Sequence, residues 1–261
     1  MKRYFLVCVL LVSCMIMTSA LYAQDKTPTP TPRSNAAAEA TAEATDTAEA
    51  TAEATDDFEG ISELMEMFDE LEQTRAEDGA FLLGDPDAPI TIVEFSDYAC
   101  PHCQTYRPVV EQIIEEYVVT GQANFEFRVF PTAGGQLTVF AAMVAECADT
   151  IQPGAFWDAY AIFYTLAEAR KYDPDLGYVL ADEVGIEWED ILECGESLDN
   201  PQVIIDYEAA QELGVGGTPA IVVRYGDGDL EFITLDGRTY DQGGPSYEVL
   251  VEVIEAAQED A

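Results

Sequence analysis

Histidine is nearly absent from this chain: there is one, His102, in 261 residues. A zinc site built on mixed cysteine and histidine ligands needs more donors than that, and Cys147 and Cys194 are not spaced as a second close pair. Covalent haem attachment is excluded too, because it requires histidine directly after the second cysteine of Cys-x-x-Cys, and Gln104 stands there. Positive charge is the second shortage. Eleven Lys and Arg are set against 51 Asp and Glu, a net charge of −40. Duplex binding displaces counterions with basic side chains, so no nucleic acid is expected as a partner. The acidity is a feature of solubility and environment and says little about fold.

What is present centres on Phe95-Ser96-Asp97-Tyr98-Ala99-Cys100-Pro101-His102-Cys103. An apolar strand, Ile90 to Phe95, runs into two cysteines separated by two residues. An amphipathic helix follows, with Val109, Val110, Ile113, Ile114, Tyr117 and Val118 at helical spacing. Cys100 therefore falls at a helix N-terminus, where free N–H groups and the helix dipole favour negative charge on a sulfur. Cys103 is one turn further in. Pro101 suits the first helical turn because its missing N–H is not needed there. This arrangement suits thiol–disulfide exchange, with Cys100 as the attacking sulfur, Cys103 as the buried resolving sulfur and His102 stabilising the Cys100 thiolate. Strand alternation turns Glu94 either beneath this site, where burial raises its pKa and lets it relay the proton of Cys103, or outward at an exposed edge.

Of six cysteines, Cys8 and Cys14 lie in the N-terminal apolar segment. The remaining four allow three pairings. Cys100 with Cys103 leaves Cys147 with Cys194, and the compartment is then oxidising. The second pair reads as a structural staple, with a second redox couple as the alternative.

Residues 1–23 begin Met1-Lys2-Arg3 and continue almost wholly apolar, which is an export signal. Three fates remain open: cleavage after Ala20 or Ala23, lipidation at Cys14, or retention as an anchor long enough to span a bilayer. Residues 24–57 are a low-complexity linker. Thr-Pro repeats lead into two copies of a ten-residue Ala/Glu/Thr unit that has no apolar face. As a coil this spacer reaches about 30 Å. Residues 58–79 form the next segment. Ile61, Leu64, Met65, Phe68 and Leu71 make one helical face over Phe58 to Thr74, for packing on the domain or for self-association.

The folded domain spans 80–261. Strands are expected at Phe81–Leu83, Ile90–Phe95, Phe125–Phe130 and Ala220–Arg224. Another, Leu230–Leu235, pairs across an Asp227-Gly228 hairpin turn. Strand patterns are missing from about 136–213, so that stretch is a helical insert, with Phe156, Trp157, Tyr160, Phe163 and Tyr164 as its core or as part of a substrate groove. Ser246 to Ala257 closes the chain as a helix. The fold class is α/β: a thioredoxin fold with an inserted helical subdomain.

The order of Glu94-Phe95, Cys100-Pro101-His102-Cys103, Phe130-Pro131, a helical insert and Gly217-Thr218-Pro219 resembles the DsbA-like thiol:disulfide oxidoreductases from about Ala80 to Ala257. The resemblance implies a cis Thr218-Pro219 bond facing the cysteines, with the Thr218 backbone open to an extended substrate. It also implies an oxidase that donates the Cys100–Cys103 disulfide to reduced or unfolded exported proteins. A membrane quinone-linked partner, of the DsbB or vitamin K epoxide reductase-like type, then reoxidises it. No metal and no cofactor beyond the cysteines is implied, and the location is extracytoplasmic, periplasm or cell surface. Two alternatives stand beside it: a reductase or isomerase on the same fold, the isomerases being dimers through an N-terminal domain, and a non-catalytic exported chaperone or copper-binding module.

Overall fold

The structure, a computed structural model, describes residues 61–260. The expected export segment, the repeats and the first residues of the amphipathic stretch lie outside the described residues. Among the described residues no helix is long and apolar enough to cross a membrane.

The stripe forms helix α1 over residues 61–69 and stops there. The expected helix over 58–79 is thus corrected: Gln73–Arg75 is a strand, β1, antiparallel to β2 (Phe81–Leu83) with Thr74 opposite Leu82. The Gln73 side chain donates to the Phe68 carbonyl at 2.8 Å and closes the helix end. Hydrogen bonds to a sheet edge override the helical spacing here. The apolar face of α1 packs inward. Phe68 is fully buried, with its ring 5.7 Å from both Trp157 and Tyr160.

Six strands make the main sheet, in the order β1, β2, β4, β3, β5, β6. Its centre is β3 (Ile90–Ser96), in which all seven residues are buried, as expected of a strand covered on both faces. It pairs in parallel with β4 (Asn124–Val129) and antiparallel with β5 (Ala220–Tyr225). Helix α2 (Pro101–Ile113) makes the crossover from β3 to β4 and carries Pro108 within it. It continues as a π-helical turn at Ile114–Val118, where Val119 N–H reaches back to the Ile114 carbonyl. Between β4 and β5 lie α3 (Gln136–Ile151), α4 (Ala155–Glu168), α5 (Leu176–Val184), α6 (Trp188–Ser197) and α7 (Gln202–Leu213). A disulfide joins Cys147 of α3 to Cys194 of α6, with Cα atoms 5.7 Å apart. Helix α8 (Tyr247–Asp260) closes the chain.

The expected strand Leu230–Leu235 is corrected. Only β6 (Glu231–Phe232) pairs with β5. The chain then leaves the sheet, and β7 (Thr234–Leu235) pairs with β8 (Arg238–Thr239). Asp236 and Gly237, both at positive φ (52° and 77°), form the two-residue turn between them. This second Asp-Gly draws Thr234 and Leu235 into a hairpin of their own.

Strand alternation separates two apolar layers. Ile92, Phe125, Phe127, Ile221 and Val223 face α2, α8 and the aromatic side of α4. Val93, Phe95, Ala220 and Val222 face the other way, toward Ala210 and Leu213 of α7. Charges enter the second face as a network: Arg128 bonds Glu126, Asp206 and Asp78, Glu126 also takes Arg224, and Asp206 also takes the Val129 N–H at 3.0 Å. That bond ties α7 to the end of β4 that carries the site.

Candidate active site

Cys100 stands where β3 gives way to α2. Its backbone is extended (φ −77°, ψ 119°), its N–H bonds the Asp97 carbonyl at 2.9 Å, and its carbonyl takes the Gln104 N–H. No side chain caps this helix end. Pro101 occupies the first turn. Cys100 keeps a sliver of exposure, 6 %, while Cys103, one turn in, has none, and both are free thiols.

The loop before β5 faces them. The Thr218–Pro219 peptide bond is cis, and the Cys100 thiol donates to the Thr218 carbonyl at 3.4 Å, across 118 residues of chain. Between these halves opens a groove of about 600 Å³. His102, Thr105 and Tyr106 of α2 form one wall, and residues 216–219 and 242–244 form the other. Tyr106 donates to the Pro245 carbonyl at 2.9 Å, and its ring lies where a side chain on residue 244 would sit, so only glycine fits there. His102 is solvent-exposed on the rim.

Glu94 lies beneath. It is 1 % exposed, on the face of β3 that meets α2, so of the two orientations open from the sequence the inward one is found. One oxygen accepts the Ser96 hydroxyl at 2.8 Å and the other has no partner. Burial raises its pKa to about 7, the Ser96 bond opposes this, and the Glu111 charge adds to it. Burial likewise pushes the Cys103 thiol up to about 12, with the Glu94 charge adding to the rise. Hydrogen bonds from Ser96, the Asp97 backbone and Thr218 pull it back.

The structure thus brings together Glu94, Cys100, Pro101, His102, Cys103, Thr218 and Pro219. Cys147 and Cys194 sit in the helical insert, bonded to each other. Among the described residues no group of three or more His, Cys, Asp or Glu is arranged to hold a metal ion.

Three residues, Asp97, Thr132 and Tyr164, have roles in the site that the sequence did not show, Tyr164 having been read only as core of the insert or part of a substrate groove. Asp97 is fully buried and accepts five hydrogen bonds: from Ala99 N–H, Thr138 hydroxyl, Thr132 N–H and hydroxyl, and Gly134 N–H. Thr132 in turn meets the Thr218 hydroxyl at 2.7 Å. One carboxylate therefore holds the loop after β4 against the cysteine loop and, through Thr132, against the cis-proline loop. Gly134 is required by this closeness, since a Cβ there would strike Thr138 and Ala99. Tyr164 of α4 is the third; its hydroxyl lies 2.6 Å from that of Ser96. Asp97 could have been suspected as an acid at the end of an apolar strand. Tyr164, 68 residues from Ser96, has no local signal.

Comparison with known proteins agrees with this geometry. Residues 76–226 match the thioredoxin family. Disulfide bond formation protein D of Bacillus subtilis is 30 % identical over 157 residues, which cover 56 % of this chain and 68 % of that protein. The Na(+)/H(+) antiporter NhaA 3 of Salinispora tropica is 26 % identical over 143 residues, but the chain spans only 21 % of its length. Among solved structures, Wolbachia pipientis alpha-DsbA1 superposes with a TM-score of 0.57 at 22 % identity, covering 71 % of this chain and 94 % of that one. Oxidised BdbD of Bacillus subtilis gives 0.54 at 24 % identity, covering 68 % and 92 %. The match over more than half the chain, together with the Bacillus relative, means that the chain belongs to the thioredoxin family and, within it, to the DsbA-like thiol:disulfide oxidoreductases.

Proposed function

We propose that this protein is an exported disulfide oxidase that acts outside the cytoplasm on reduced, unfolded proteins. A substrate thiolate attacks Cys100 Sγ in the Cys100–Cys103 disulfide. That bond breaks, a mixed disulfide forms between Cys100 and the substrate, and Cys103 leaves as a thiolate that takes up a proton. A second substrate thiolate then attacks the substrate's own sulfur in the mixed disulfide, and Cys100 departs. The substrate has lost two electrons, and the enzyme passes them to a membrane quinone-linked partner of the DsbB or vitamin K epoxide reductase-like type.

The observation that carries this reading is the meeting of Cys100 Sγ and the Thr218 carbonyl at 3.4 Å, with Thr218 and His102 lining the adjoining groove. The more exposed sulfur and a free stretch of backbone lie side by side there, as an extended substrate cysteine needs. The direction, formation over reduction, follows the name of the Bacillus relative. The apolar face of α1 packs on the chain's own core and does not serve as the dimer surface of an isomerase.

The test is oxidative refolding of a reduced, unfolded disulfide protein, with the redox potential measured on the same sample. The oxidase reading expects refolding, loss of it in Cys100→Ala, and a potential nearer ~−120 mV than the ~−270 mV of a thioredoxin-type reductant. A potential at the reducing end overturns the oxidase assignment. Copper binding by the reduced protein with no refolding activity assigns it to the binding modules instead.

A further inference from the structure

Resting on the exchange reading above, we propose that Ser96 relays the proton between Glu94 and Cys103, and that Tyr164 is the positioning residue that aims the Ser96 hydroxyl.

The reaction leaves a proton to be delivered. When the Cys100–Cys103 bond breaks, Cys103 departs as a thiolate into a fully buried site. Water does not reach it, so an acid must lie within the protein. Glu94 is the buried carboxyl on the same face, and the Ser96 hydroxyl stands between the two: it donates to Glu94 Oε1 at 2.8 Å, and it also favours the thiolate of Cys103. Ser96 and Glu94 are two residues apart in β3, so the pleat turns both side chains the same way.

The donors fix the direction. A serine hydroxyl has one proton and two lone pairs. With Glu94 ionised, the Ser96 proton goes to its carboxylate, and Tyr164 then donates across the 2.6 Å contact. This is the arrangement after delivery: thiol at Cys103, carboxylate at Glu94, Ser96 pointing at the carboxylate. Before delivery the protonated Glu94 donates to Ser96, Tyr164 donates to the second lone pair, and the Ser96 proton points at Cys103. Delivery then moves two protons at once, from Glu94 to Ser96 and from Ser96 to Cys103, and leaves every atom in place. The acid near 7 and the thiol near 12 make that transfer downhill. Tyr164 serves both states, because its proton occupies the lone pair that is not used for relay.

The test is single-turnover reduction of the oxidised full-length protein by a peptide dithiol, followed by acid quench and thiol alkylation, in light and heavy water. Wild type is expected to react more slowly in heavy water. Ser96→Ala is expected to slow about a hundredfold, at the low end of what proton transfer by a positioned group contributes, and to lose the solvent isotope effect. Ser96→Thr, which restores a hydroxyl, recovers both. Tyr164→Phe slows less, and it reads the same bond from the other side if Ser96→Ala does not fold. Ser96→Ala at the wild-type rate with the wild-type isotope effect overturns the relay and leaves the exchange reading intact. A wild type that does not oxidise the dithiol overturns both.

Discussion

Glu94→Gln separates the charge of the buried carboxyl from its shape. The folded protein holds the Glu94 proton to about pH 7, while an unfolded chain releases it near 4.5. Below 4.5 both states are protonated and the group contributes nothing to pH dependence. Between 4.5 and 7 the folded state binds more protons than the unfolded one, so stability falls as pH rises. Each pH unit is worth about 1.4 kcal/mol, so the loss is about 3 kcal/mol, complete above pH 7. Glutamine has no such titration. It does place an N–H₂ where Oε2 has no partner, which costs about 1–3 kcal/mol at every pH. The difference in stability between wild type and Glu94→Gln should therefore favour wild type at pH 5 and shrink by about 3 kcal/mol by pH 8. Urea melts of the two reduced proteins at pH 5, 6, 7 and 8 measure it. Asp158, whose pKa burial raises to about 6, is present in both and cancels. Parallel curves would refute the argument, because they mean that Glu94 titrates alike in folded and unfolded chains.

Four other perturbations test the frame around the cysteines and the core beneath it. Asp97→Asn keeps one acceptor oxygen but sets an N–H₂ against the two donors at Oδ1 or the three at Oδ2, so it should lose a few kcal/mol in urea melts. Thr132→Val cuts the hydroxyl link to Thr218 and the 3.3 Å hydroxyl bond to Asp97 while keeping the Thr132 N–H bond to Asp97, and should raise KM for a peptide substrate with a stability loss of only about 1 kcal/mol; an unchanged KM removes Thr132 from the site. Cys147→Ala with Cys194→Ala opens a loop of sequence separation 47 and should lose roughly 4 kcal/mol in chain-entropy terms, with exchange by Cys100 retained. A double variant that folds but no longer exchanges makes that disulfide part of the redox path. Phe68→Ala empties a fully buried ring site against Trp157 and Tyr160 and should destabilise by about 3–5 kcal/mol; a smaller effect means that α1 is not part of the core.

The parts legible in the sequence are those coded locally. The run Ile90 to Phe95 into Cys100-Pro101-His102-Cys103 reads as strand, turn and helix because each step has its own signal: an apolar run, then a proline at a helix start. The helical character of the insert over about 136–213 reads equally well. Failures came where tertiary pairing decided. Gln73–Arg75 continues a helical pattern, yet the free edge of β2 takes it as a strand. Thr234–Leu235 continues a strand pattern, yet Asp236-Gly237 folds it back on Arg238–Thr239. The Ser96–Tyr164 pair joins a strand to a helix from a different part of the fold, and no periodicity within either segment points to the other.

Two acids three residues apart show how such a site divides its work. Glu94 and Asp97 are both buried, at 1 % and 0 %, at the end of the same strand. Asp97 meets five donors, enough to occupy both oxygens, and every donor belongs to a loop or helix start that must stay where it is. Its Oδ1 joins the cysteine loop to the start of α3, and its Oδ2 holds the loop after β4. Glu94 meets one donor and leaves an oxygen bare. Its protonated form breaks nothing, and its single bond leads by one hydroxyl to the sulfur that needs the proton. The count of donors, more than burial, separates the carboxylate that holds the loops from the one that carries charge. By that criterion, substituting Asp97 should register first in stability and substituting Glu94 first in rate.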